Sequence, residues 1–270
     1  MKRSKWDQRI QRADELTSAH PFAAEALRFY TGVATFQKEL YAHVDAAHGS
    51  GSRKKAAGLF NEDLNFPLLL PKFPDFLSRV SAFSPRPVAE SAAGLRTQTA
   101  RVEELLAFHW RKVSNSQPAP SETEALLAWI FLQPYAECLA DRGERLPGND
   151  SLALCPFCEG KPLVGVLRPE GDGAKRFLIC ALCSTEWAFR RILCPACGEE
   201  AVEKLAVYTA AEFNHVRVEG CDTCQHYIKT VDLTKNGLAV PAVDELATIP
   251  LNLWAQEHGY VKLKTNLLGI

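Results

Sequence analysis

From Phe22 onward the apolar residues Phe22, Ala26, Phe29, Val33, Phe36, Leu40 and Val44 recur at steps of three and four. That spacing lines one face of a long amphipathic helix. Pro21 suits its first turn, and Gly49-Ser50-Gly51-Ser52 should stop it. The stretch from Phe66 to Pro74 holds three prolines, too many for a helix interior, and predicts a buried extended connector. Further helices are predicted over 75–82, 87–113 and 121–140. The last opens on Ser121-Glu122-Thr123-Glu124, a capping-box pattern, and should kink at Pro134. Beyond residue 150 the pattern changes to short apolar stretches. A final helix is expected at 243–258, with Gly259 just past its end.

The polar, Gly/Pro-rich segment 141–150 marks a boundary. The predicted fold class is α+β: an α-helical domain over 1–145, a first four-cysteine metal ribbon over 146–190, and a second four-cysteine metal ribbon with the C-terminal helix over 191–270. The 270 residues are 47% hydrophobic and 23% charged, which excludes a disordered or fibrous chain. No apolar run reaches membrane-spanning length, so no membrane insertion is expected. The first residues, Met1-Lys2-Arg3-Ser4-Lys5, lead into no apolar stretch of a secretory signal. A cytoplasmic location follows as an expectation, and in that reducing compartment structural disulfides rarely persist.

Cysteine carries the chemistry. Eight of the nine cysteines form four Cys-x-x-Cys pairs: Cys155/Cys158, Cys180/Cys183, Cys194/Cys197 and Cys221/Cys224. The region repeats itself. Leu154-Cys155-Pro156-Phe157-Cys158 parallels Leu193-Cys194-Pro195-Ala196-Cys197, and each is followed by apolar residues, a turn and a second pair. A duplicated unit should close its own site. The predicted ligand sets are therefore Cys155, Cys158, Cys180 and Cys183 for one ion, and Cys194, Cys197, Cys221 and Cys224 for another. Two residues between cysteines let a tight turn aim both sulfurs at one point. Two such turns supply four thiolates in a tetrahedron, which selects zinc or iron and leaves no open position for Lewis-acid catalysis.

Residues 151–232 hold nine Lys and Arg against eleven Asp and Glu. Two divalent ions in four-thiolate sites would carry that module to about −6, which opposes a phosphate-binding role. The alternative reading, a nucleic-acid-binding zinc ribbon of a transcription or translation factor, rests on Lys2, Arg3, Lys5, Arg9 and Arg12 and on Arg190-Arg191. Dithiol redox chemistry is a third reading, disfavoured by four pairs in two matched units. Cys138 is expected to be a buried apolar residue, His226 a group near a ligand, and His109 a helix-face or core histidine. No Ser/His/Asp set, phosphate loop or paired carboxylate suggests an enzyme.

The ordered series Leu-Cys-Pro-Phe-Cys, Cys-Ala-Leu-Cys, Cys-Pro-Ala-Cys and Cys-Asp-Thr-Cys behind a helical front half resembles the formate dehydrogenase accessory proteins, the FdhE family. His20-Pro21, the Asp244-Glu245-Leu246-Ala247 segment, Glu257-His258-Gly259-Tyr260 and Asn266 extend the resemblance. It implies a cytoplasmic factor for maturation of formate dehydrogenase, with that enzyme's catalytic subunit as partner. It also implies iron in rubredoxin-like sites, with all eight cysteines at motif positions. The chain departs from the pattern at Glu159-Gly160, where glycine does not directly follow Cys158.

Overall fold

The computed structural model describes residues 4–49, 64–111, 120–143, 150–267 and 269. Packing gathers the chain into two units, one of Met1–Arg28 with Arg145–Ile270 and one of Phe29–Glu144. The first helix thus groups with the cysteine-bearing part, and not with the helices after it as a division at residue 145 would have it. Most of the expected linker, 144–149, lies outside the described residues, as do Ser50-Gly51-Ser52.

The helices are α1 (Lys5–Ala19), α2 (Ala24–His48), α3 (Phe66–Leu69), α4 (Phe73–Phe83), α5 (Arg86–Leu95), α6 (Thr99–Arg111) and α7 (Glu122–Arg142). The Phe66–Pro74 stretch is helical, not extended. Its prolines fall in the first turns of α3, of a 3-10 turn at Leu70–Lys72 and of α4, where no backbone donor is needed. The helix expected over 87–113 is two, separated at 96–98; the side chains of Thr97 and Gln98 both bond the Gly94 carbonyl there. The core of this unit is aromatic: Phe131 lies 4.7 Å from Phe73, 5.3 Å from Phe76 and 6.2 Å from Phe36.

Helix α7 carries the expected capping box at Ser121 and Glu124, and it continues through Pro134. Proline lacks the N–H that would bond the Ile130 carbonyl one turn back. Gln37 replaces it: its buried Nε2 donates to that carbonyl at 2.7 Å and to Gln133 Oε1 at 2.8 Å. Cys138, farther along α7, is fully buried.

In the other unit, Ser4 caps α1 by accepting from the Asp7 N–H at 3.1 Å, and Trp6, Ala13 and Leu16 form its buried face. The strands are β1 (Pro162–Glu170), β2 (Gly173–Cys180), β3 (Glu186–Ala188), β4 (Val207–Thr209), β5 (Val216–Cys221), β6 (His226–Asp232) and β7 (Val261–Lys262). They form one sheet in the order β3-β2-β1-β6-β5-β4, with β7 beside β6. The two ribbons are therefore fused edge to edge. Each repeat lays its three strands in the same order. The junction is a parallel pairing of β1 with β6 at Gly165/Thr230, Val166/Val231 and Leu167/Asp232. Gly165 makes that approach feasible, because a Cβ there would stand 2.3 Å from Thr230 Oγ1. Val164, Val216, Val218, Tyr227 and Val231 fill the core against Leu251 and Ala255.

The C-terminal helix divides into α8 (Pro241–Ala247) and α9 (Ile249–Glu257), broken at Thr248. Pro250 falls in the first turn of α9, and Gly259 follows its end at φ +82°. Two buried ionic clusters secure these helices. Asp244 accepts from Arg12 of α1 at 2.6 and 3.0 Å, contacts His215 at 2.9 Å and accepts from the Val240 N–H at 2.8 Å. Burial alone would raise its carboxyl; hydrogen bonds from His215 and Arg12 outweigh that and hold it below the ordinary value. Glu245 lies between Lys229 of β6, 3.1 Å away, and Lys262, with Asn266 donating to it at 3.2 Å. Lys229 also donates to the Glu245 carbonyl at 2.5 Å and to Thr248 Oγ1 at 3.0 Å.

Candidate metal centres

Each Cys-x-x-Cys segment is a tight turn closed by its own backbone. The Cys155 N–H donates to the Gly160 carbonyl and the Glu159 N–H returns to the Cys155 carbonyl, at 2.9 and 2.8 Å. The third turn repeats this with Cys194, Glu199 and Gly198 at 2.9 and 3.0 Å. In all four turns the residue directly after the second cysteine has positive φ: Glu159 at 54°, Ser184 at 55°, Gly198 at 78° and Gln225 at 55°. Only one of these is glycine. The departure seen at Glu159-Gly160 is thus a side-chain-bearing residue in the left-handed conformation that the turn requires.

The turns bring the eight cysteines together in chain order. Cys155, Cys158, Cys180 and Cys183 form one group and Cys194, Cys197, Cys221 and Cys224 a second, with the sulfurs of each within 4.8 Å of one another. In the first, Cys155 and Cys183 are 3.6 Å apart and Cys158 and Cys180 3.3 Å. In the second, Cys194–Cys224 and Cys197–Cys221 are both 3.7 Å. Four thiolates around zinc at about 2.3 Å stand about 3.8 Å apart, so the sulfurs fit a tetrahedral ion. A disulfide needs about 2.05 Å, and all of these cysteines are free thiols. Each group could hold one metal ion.

Amide donors are aimed at the sulfurs. Leu182 N–H donates to Cys180 Sγ at 3.4 Å and Ala196 N–H to Cys194 Sγ at 3.3 Å. In the first group, hydrogen bonds from Cys158, Cys180 and Cys183 hold the Cys155 thiol far below its usual value. Hydrogen bonding with that same sulfur pushes the other three up. Four ionised sulfurs at this spacing need a cation to offset their repulsion, and binding one releases protons.

The residues around the turns were harder to foresee. Gly160 runs against the first group: a Cβ there would lie 3.0 Å from Cys180 Sγ and 3.1 Å from Cys158 Sγ. Trp187 Nε1 donates to the Leu152 carbonyl at 2.8 Å, closing the chain ahead of Cys155. In the second group Glu199 links two turns, accepting from the Ala201 N–H at 2.9 Å and the Thr223 hydroxyl at 2.7 Å. Tyr260 packs its ring on Gly220 and bonds Asp222 at 2.5 Å, inside the fourth turn. His226 Nδ1 meets the Cys224 carbonyl at 2.8 Å. Aligning the two repeats would have exposed the Gly160/Glu199 exchange; Tyr260 leaves no such signal.

Comparison with known proteins addresses the same residues. The model of the FdhE central domain matches residues 154–191, and that of the FdhE C-terminal domain matches residues 192–268. A Protein FdhE homolog of Aquifex aeolicus is 36% identical over 141 residues, covering 52% of this chain and 50% of the relative. Another, from Pseudomonas aeruginosa, is 34% identical over 44% of this chain and 40% of its own. In these relatives the match spans half their length or less. One from Pectobacterium atrosepticum is 26% identical over 98% of this chain and 87% of its own. The crystal structure of the FdhE protein from Pseudomonas aeruginosa shares the fold, with a TM-score of 0.69 and 23% identity over 99% of this chain and 97% of that one. Both cysteine groups lie inside the residues matched by the FdhE central and C-terminal domain models, and the FdhE crystal structure has the same α+β architecture, so the comparisons support the FdhE family for this chain.

Proposed function

We propose that the chain is a cytoplasmic accessory protein that assists maturation of formate dehydrogenase by binding that enzyme's catalytic subunit, and that it is not itself an enzyme. The observation that carries this reading is the pair of four-sulfur groups within the stretch matched by the FdhE models. The maturation role follows from the family resemblance of the ordered cysteine turns. In this reading Cys155, Cys158, Cys180 and Cys183 hold one ion, and Cys194, Cys197, Cys221 and Cys224 hold the other. Bound iron would supply one-electron chemistry, whereas zinc would act as a cross-link. The residues around the ions set their reach: the first group is buried, while the second leaves Cys197 exposed to an approaching partner. Four protein sulfurs fill a tetrahedral sphere, which agrees with a binding role over a catalytic one. Among the described residues no helix is long and apolar enough to cross a membrane.

The test is a tagged pull-down from anaerobic cells, read by mass spectrometry, with metal analysis of the same eluate. A formate dehydrogenase catalytic chain and two metal ions per molecule are expected. Recovery of ribosomes or polymerase in its place would overturn the reading in favour of a nucleic-acid-associated ribbon. An eluate holding zinc alone would remove the redox role and leave the binding role standing.

A further inference from the structure

A cavity of about 770 Å³ lies within the cysteine-bearing unit, and its walls are aromatic. His20 and Phe22, just after α1, stand 5.5 and 6.1 Å from the ring of Phe213. Tyr208 of β4 and Trp254 of α9 form a second ring pair at 4.5 Å, with His258 stacked on Trp254 at 4.1 Å. The wall is fixed in advance, because the Tyr208 hydroxyl meets that of Tyr260 at 3.2 Å. The space falls within the roughly 300–1,000 Å³ that ligand pockets enclose, far more than one small ion fills. Phe22 and Val207, both in its lining, are each 54% exposed. Large apolar groups left in water around a concave space mark a site of interaction.

Charge says what the occupant carries. Glu212 is the one formally charged residue in the lining, and no Lys or Arg joins it. Among the described residues its carboxylate has no hydrogen-bond or ion-pair partner. Burial, with Arg12 nearby, pushes the His20 imidazole below its ordinary value, so it adds no positive charge at neutral pH. The basic residues behind the walls are already engaged. Arg12 is held by Asp244 at 2.6 Å and by Glu15 at 3.5 Å. Arg217, opposite Thr209 in the ladder, donates to Glu219 at 2.8 and 2.5 Å, and Arg176 of the first repeat meets the same carboxylate at 2.6 Å. These three line a separate space beside Cys194 and Cys221, where the thiolates offset their surplus positive charge.

An anion in the aromatic cavity would meet an unpaired carboxylate, and a purely apolar occupant would withdraw that carboxylate from water without a partner. A cation suits both the carboxylate and the ring faces, whose π electrons attract it. Arginine fits best. Its planar guanidinium stacks on rings, sheds water more readily than an ammonium and grips a carboxylate with two N–H donors. Phe22 and Val207 call in addition for apolar neighbours, which a free small cation lacks and the flanking side chains of a polypeptide supply.

We infer that this cavity docks an arginine-bearing extended segment of a partner protein, with the guanidinium between Glu212 and the aromatic walls and flanking apolar side chains on Phe22 and Val207. The site requires no particular metal in either cysteine group. It names the chemistry of the docked segment and holds whichever protein carries that segment, formate dehydrogenase or another.

The test is titration of the full-length, metal-replete protein with an acetylated, amidated Gly-Leu-Arg-Leu-Gly peptide and with counterparts carrying norleucine or glutamate in place of arginine. Tryptophan indole N–H resonances are followed by NMR. A saturable shift of the Trp254 resonance is expected with the arginine peptide, with binding about tenfold weaker for the norleucine peptide and weaker still for the glutamate peptide. Glu212→Gln should remove most of the preference for arginine over norleucine and leave the norleucine peptide unchanged. Phe22→Ala should weaken the arginine and norleucine peptides alike, severalfold. Both positions are exposed, so an unchanged backbone spectrum and an unchanged ion count by native mass spectrometry are expected for each variant. The inference is overturned if no peptide gives a saturable shift, or if norleucine or glutamate binds as tightly as arginine. It is equally overturned if Glu212→Gln keeps the full preference for arginine. N-acetylarginine amide binding as tightly as the pentapeptide would make a free small cation the ligand, and a Trp254 shift that follows protein concentration without peptide would make a second copy of this chain the occupant.

Discussion

In the first cysteine group all four sulfurs are buried; in the second, Cys197 is exposed and Cys224 half-buried. Both arise from one duplicated plan, so the difference lies in the residues beside the turns. Each first turn of a repeat is followed by one glycine and one glutamate, in opposite order. Glu159-Gly160 puts the side chain on the left-handed residue and the glycine against the sulfurs, letting the chain close over the group. Gly198-Glu199 puts the glycine where the backbone needs it and spreads the glutamate outward to bond Ala201 and Thr223. One arrangement trades backbone ease for enclosure; the other keeps an easy backbone and an open face. The same plan can thus give a sheltered centre and an accessible one.

The largest effect that would test this contrast is on metal retention. Structural four-thiolate sites contribute on the order of 10–16 kcal/mol in small folds. Cys158→Ser should lose the first ion and unfold that half of the sheet, while Cys197→Ser loses only the second. Native mass spectrometry counts the ions, and a chelator time course should strip the open group first. Release of both ions together would mean one cooperative unit; earlier release from the buried group would reverse the contrast.

Next comes the support behind the second group. Glu245→Gln leaves Lys229 and Lys262 without their buried counter-charge and should cost about 3–5 kcal/mol in urea unfolding. Lys229→Met should cost far less. Lys229 is lowered by burial to about 7, against about 10.4 in the unfolded chain. Between those values the unfolded state binds the extra proton, so stability should rise with pH from about 7 to about 10. A pH series of melting temperatures should show this rise in the parent and a flatter one in Lys229→Met.

A smaller effect separates the two turns directly. Gly160→Ala pushes a methyl against two sulfurs and should cost about 1–3 kcal/mol, with loss of the first ion. Glu199→Ala should leave both ions bound and only quicken exchange at the second. Smallest, and opposite in sign, are the backbone changes. Glu159→Gly should stabilise by about 1 kcal/mol and Gly198→Ala destabilise by about as much. Equal signs in thermal melts would show that the two turns are not conformational equivalents.

Much of this was legible in the sequence because the signals are local. Period, capping box and Cys-x-x-Cys spacing each need only a few neighbouring residues. The failures are where distant residues decide. That Gln37, nearly a hundred positions before Pro134, meets the Ile130 carbonyl which the proline leaves without a donor is not readable from local sequence. Three prolines between Phe66 and Pro74 read as extended, because their placement in successive first turns is not apparent from their number. The first helix, held by Arg12 to Asp244, was invisible as part of the cysteine-bearing unit. Gly160 and Arg176 carry meaning only once the sulfurs and the opposite repeat are beside them.

The head-to-tail stacking of the two repeats has no point of closure. Nothing in a parallel junction such as β1 with β6 dictates stopping at two, and a third copy could in principle add at either flank. The outermost strands, β3 and β4, are only three residues long, and Glu186 on β3 is clamped by Arg168 at 2.6 Å. So short a border offers an incoming chain too few backbone partners to grip, and the array ends as a finite object, not a fibre.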